Sequence, residues 1–126
     1  MQITTSKYSV SETAKRLIDA LNKRNIKVFA HISHSQAARD ADLEMRDEEL
    51  IIFGDPKTGT NLMLEQPKIG IALPLKMLMW LDAEKKTQVG YELSQQLASQ
   101  YQIKQNIGIL GKMDTLLATL ATEISQ

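Results

Sequence analysis

The chain has 126 residues, in which 15 Lys plus Arg balance 15 Asp plus Glu, and it contains no Cys. That length suits one domain, residues 1–126, whose folding removes roughly two-thirds of the unfolded chain's surface from water. The missing cysteines exclude disulfides, thiolate metal sites and thiol nucleophiles, and the balanced charge gives no long-range field to attract nucleic acid.

The opening MQITTSKYSV lacks the basic, apolar and small-residue succession of a secretory signal, so a cytoplasmic setting is expected. A first strand is expected over residues 3–8. Ser9 followed by Glu12 then forms a capping box, and Val10, Ala14, Leu17, Ile18 and Leu21 recur at helical spacing. After Asn25, the residues Ile26, Val28, Ala30 and Ile32 alternate with period two, which predicts a strand with Phe29 and His31 on its other face.

The polar stretch SHSQAARDAD reads as a hinge, with His34 capping a short turn. A short strand is expected at Leu43, Glu44 and Met45, then a central strand at Leu50, Ile51, Ile52 and Phe53, apolar on both faces. Residues 75–81 and 87–91 make a hairpin about a charged turn. Leu93, Leu97, Ala98 and Tyr101 suggest a helix, and Met113, Leu116, Leu117, Leu120 and Ile124 a stronger one.

Helices at the ends and strands in the middle predict an α+β fold, a single compact domain with an antiparallel sheet and helices on one face. The uncovered face calls for a second copy of the chain, hence a homodimer. The most apolar stretch, residues 69–81, is interrupted by Gly70, Pro74 and Lys76 and falls short of the ~20 residues that cross a bilayer. Neither membrane nor nucleic acid is expected as a partner.

The stretch with most chemical promise is GDPKTGTNLM, residues 54–63, which leaves a strand and enters a helix. Free amides and the positive end of a helix dipole suit an anion. Gly54 and Gly59 permit a tight backbone, Lys57 adds charge, and Thr60 can cap the helix. The glycine spacing matches the start of a phosphate-binding loop, but Thr60 replaces the required Lys, Asp55 brings like charge and Pro56 removes an amide, so a nucleoside triphosphatase is excluded.

Two uses remain for this loop. It preserves a tight turn and a dimer contact in a purely structural or protein-interaction module, or it binds a small anionic molecule through Asp55, Lys57, Gly59 and Thr60, with His34 and Arg46 nearby. A third reading makes the protein an enzyme, with His34 as general base, Asp55 or Asp82 orienting it and Arg46 stabilising negative charge. No nucleophile or cofactor motif accompanies His34. His31 and His34 straddle a strand end without a third ligand, so no metal is expected.

The composite of residues from 34 to 82 resembles the domain-of-unknown-function family 302. Its carriers are His34, Arg46, the block FGDPKTGTNLM and the strand LPLKMLMWLD. The resemblance implies a TATA-binding-protein-like α+β domain and a homodimer, and implies no reaction. Fold similarity alone transfers no DNA-binding role. The chain departs from the family pattern at Arg46-Asp47, at Glu92-Leu93-Ser94 and at Gln100-Tyr101.

Overall fold

Ser9 opens the first helix as its position dictates: its hydroxyl accepts the Glu12 amide at 3.0 Å. Helix α1 (Val10–Lys23) then buries Val10, Ala14, Leu17 and Leu21 along one side. In the computed structural model, which describes all 126 residues, α1 follows β1 (Gln2–Ser6) and precedes β2 (Lys27–Ser33), α2 (His34–Asp40) and β3 (Glu48–Gly54). Helix α3 (Pro56–Glu65), a 3₁₀ turn (Pro67–Ile71), β4 (Leu75–Leu81), β5 (Thr87–Tyr91), α4 (Gln96–Gln100) and α5 (Ile107–Ser125) complete the chain. The strands form one sheet in the order β1-β5-β4-β3-β2, antiparallel throughout, so the fold is α+β.

Strand alternation divides the sheet into two unlike faces. Ile51, Phe53, Met77, Met79 and Val89 are fully buried beneath α1 and α5, which supply Leu17, Leu21, Leu117 and Leu120. Each such side chain contributes on the order of 1.5–3 kcal/mol relative to exposure. On the opposite face, Ile3, Gly90, Leu78, Leu50 and Ile32 stand in register and cross all five strands as one row. Ile3 and Ile32 in this row are exposed.

Four local expectations change. A bulge between Val28 and Ala30 breaks the alternation of β2: Val28 pairs with Phe53, whereas Ala30 and Ile32 pair with Ile52 and Leu50 on the open face. His31 therefore shares the face of its partner Ile51. The stretch after Ser33 is a helix, α2, and Ser33 rather than His34 caps it by accepting the Gln36 amide. Leu43, Glu44 and Met45 are exposed and lie outside any strand. No helix is long and apolar enough to cross a membrane.

Candidate functional site

The chain leaves β3 at Gly54 and enters α3 two residues later, earlier than Thr60 would have placed it. Pro56 occupies the first helical turn, where its missing N–H costs nothing. Asp55 is the cap: its Oδ1 accepts the Lys57 amide at 3.0 Å, and its Oδ2 accepts the Thr58 hydroxyl at 3.2 Å. The Gly59 amide donates to the Asp55 carbonyl at 3.0 Å. Thr60 and Gly59 therefore sit inside the helix. The Lys57 amide, which an anion would need, is bound to the chain's own carboxylate, and a simple phosphate cradle is not what this segment builds.

Beside it lies an open cleft of about 580 Å³. Gly54, Asp55, Thr58, Gly59 and Thr60 form one wall, and Met63, Leu73, Met113 and Leu116 provide an apolar lining. Lys27 and Lys112 also line it, the Lys27 ammonium standing 5.0 Å from the centroid of the Phe29 ring. Gly54 leaves room for a methyl group here: a Cβ would lie in ordinary van der Waals contact, 3.6 Å from Pro74 and 3.8 Å from Phe29. Lys57 is exposed and does not line the cleft.

The other expected site residues lie apart. His34 lines a separate hollow with Leu50, Leu78 and Lys76. Arg46 lines a third one with Glu44, Glu48 and Trp80, and its Nε donates to the Leu81 carbonyl at 3.2 Å. The acids meant to orient His34 are engaged elsewhere. Asp55 caps α3, and Asp82 accepts the Glu84 and Lys86 amides and the Gln88 side chain. The Lys86 amide foremost, then the Gln88 side chain, holds the Asp82 carboxyl below its ordinary range. The structure thus separates the residues of the expected general-base arrangement.

The histidine that does meet a carboxylate is His31, whose Nε2 lies 2.5 Å from Glu49 Oε1. Sequence reading missed this pair because it depends on the bulge, which turns His31 towards the face that carries Glu49. A second carboxylate of note is Glu65 at the end of α3. It accepts the amides of Lys104, Gln105 and Asn106 at 2.6, 3.0 and 2.9 Å, and the Asn106 side chain at 2.8 Å. The Lys104 amide foremost lowers its pKa to about 2 against an opposing effect of burial. Glu65 fastens α3 to the loop before α5. No group of three or more His, Asp or Glu side chains is arranged to hold a metal ion.

These features define an α+β domain with a mixed apolar and cationic cleft at one end of its sheet. The chain belongs to the family described as "Domain of unknown function DUF302", whose model matches residues 2–121. The crystal structure of an uncharacterized conserved DUF302 protein from Bacillus stearothermophilus superimposes with a TM-score of 0.87 at 16% identity, covering 99% of this chain and 97% of that one. That likeness shows the fold. Among curated proteins, the fluoride-specific ion channel FluC 1 of Brucella suis biovar 1 is 38% identical over 81 residues, or 64% of this chain and 32% of that protein. FluC 2 of Brucella melitensis biotype 1 is likewise 38% identical over 81 residues, 30% of its length. The matched segment spans about a third of those relatives.

Proposed function

We propose that this protein is a homodimeric binding or accessory module whose cleft beside residues 54–60 takes a small amphipathic anion. The cleft carries the reading. Its volume of about 580 Å³ suits a drug-sized ligand. Met63 and Met113 give its lining the adaptability of thioethers, and Lys27 and Lys112 offer positive charge to a carboxylate. The ligand's charge is met by these ammonium groups rather than by the amides at the start of α3. Aromatic or short aliphatic carboxylates have the required combination of body and head.

Backbone NMR titration tests this with benzoate, octanoate and their neutral amides. The expected result is saturable shifts at Thr60, Met63, Lys112 and Leu116 for the carboxylates, weakened in a Lys27→Glu/Lys112→Glu variant. Absence of saturable shifts with every compound refutes the ligand. The open row from Ile3 to Ile32 supports dimerisation through the sheet face, and light scattering at rising concentration tests it, with Leu78→Glu expected to give monomers.

The resemblance to part of proteins named as fluoride-specific channels favours a second reading, in which the domain serves as an accessory to ion transport. The chain itself has no spanning helix, so its role there is regulatory or sensory rather than conductive. Chemical-shift titration with sodium fluoride against sodium chloride distinguishes a halide sensor from a module indifferent to fluoride.

A further inference from the structure

We infer that the end of the molecule built by α3, the 3₁₀ turn and the start of α5 docks on the surface of an anionic phospholipid bilayer. Three neighbouring segments each set an unpaired lysine near an exposed branched aliphatic residue. On α3, Lys57 and Leu64 are seven residues apart and share the outer side of the helix. In the 3₁₀ turn, Lys68 and Ile71 are three apart and so lie on one side. Lys104 and Ile107 flank the start of α5. Leu64, Ile71 and Ile107 are 76%, 83% and 56% exposed, although each could have been polar at no cost to the core.

The segments are held together by the fold. Glu65 binds the amides of residues 104–106, the Gln66 side chain reaches the Gln102 carbonyl, and Met63 lies against Gly70. The two acids within this region, Asp55 and Glu65, are satisfied by donors of the chain itself. None of Lys57, Lys68 and Lys104 forms an ion pair. At the far end of β3, on the order of 20 Å away, residues 39–49 carry six carboxylates and only two arginines. The net charge of zero thus conceals a polarity, and at its basic end the two most exposed large aliphatic side chains of the chain, Ile71 and Leu64, stand beside unpaired lysines.

Aliphatic residues that enter the headgroup boundary, with lysines beside them facing anionic lipid, make up the chemistry of a peripheral membrane contact. The expectation of no membrane partner rested on the lack of a spanning segment, which surface docking does not require. This inference does not depend on the cleft or its ligand.

Co-sedimentation of the full chain with phosphatidylcholine vesicles, alone and mixed with phosphatidylglycerol, tests it. Binding is expected on the mixed vesicles, falling as salt rises. Each lysine near the surface is worth about fivefold in partitioning. A Lys57→Glu/Lys68→Glu/Lys104→Glu variant should therefore lose roughly a hundredfold, and Leu64→Asp/Ile71→Asp/Ile107→Asp should also abolish sedimentation. Lys85→Glu/Lys86→Glu, in the distant hairpin, should bind as wild type. Circular dichroism confirms that the variants fold, and Ile71→Asp alone replaces any triple variant that does not. The inference is overturned if the wild type stays in the supernatant at low salt, if the aliphatic variant binds undiminished, or if the hairpin variant loses as much as the lysine variant.

Discussion

Gly90 is a place where one methyl group should be costly. It lies on the open face in register with Ile3 and Leu78, and the Trp80 ring crosses it diagonally from the adjacent strand. A Cβ at Gly90 would stand 2.8 Å from Trp80 Cζ3 and 2.7 Å from Met1 Sδ. The Met1 thioether ends a flexible side chain and can move aside. The indole is broad and rigid, and it must swing off the strand.

Overpacking of this kind costs about 1–3 kcal/mol, and removing a strand glycine returns about 0.5–1 kcal/mol through the unfolded state. Gly90→Ala should therefore destabilise the fold by about 1–2 kcal/mol, or roughly 3–8 °C in Tm for a domain of this size. Trp80 is the single tryptophan of the chain, so its emission reports the displacement directly. Thermal unfolding followed by fluorescence should give a lower midpoint and an emission maximum shifted to the red in the folded state. An unchanged midpoint together with unchanged emission would show that the indole does not rest on Gly90.

Two further substitutions test how the ends of the helices are tied. Because the Glu65 pKa is lowered from 4.5 to about 2, its contribution is fully present above 4.5 and is lost as pH falls towards 2. The stability difference between wild type and Glu65→Gln, from urea titrations, should shrink across that interval, and a difference independent of pH would refute the clasp. Arg16 donates from Nε to the Ile124 carbonyl at 3.1 Å and from one terminal nitrogen to the Glu123 and Gln126 carbonyls, and its guanidinium stacks 4.1 Å from the Tyr8 ring centroid. Arg16→Lys keeps the charge at the end of α5 but loses the fork, so urea unfolding should show a loss of about 1–2 kcal/mol. An unaltered midpoint would mean that charge alone accounts for the contact.

The features legible in the sequence were those written in one residue type or one period. Ser9 with Glu12 marked α1, and the apolar positions of residues 50–53 and 75–81 marked the two central strands. The antiparallel α+β arrangement followed from their order. The start of α3 was misread because both Thr60 and Asp55 can cap, and the proline that decides between them acts through an absent hydrogen rather than through a contact. The bulge in β2 has no side-chain signature, since it is set by how the strand pairs with residues some 20 positions away. For that reason the facing of Ile32 and the pairing of His31 with Glu49 were illegible. The cleft draws its lining from β2, α3, the 3₁₀ turn and α5, and no local pattern announces such a convergence. Of the expected ligand residues Lys57 and Thr60, only Thr60 reaches the cleft wall.

The extra residue in β2 acts as a parity switch. Before it, even-numbered positions look inward, and after it they look outward, so loss of the unpaired Phe29 would leave Ala30 to Ser33 opposite their present partners, whereas one residue added or lost between Ala30 and Ser33 would exchange the faces of those beyond it. Loss of that one residue should therefore be tolerated better than a length change elsewhere in the strand, and an aligned relative lacking it should keep the hydrophobic pattern of residues 30–33 in place.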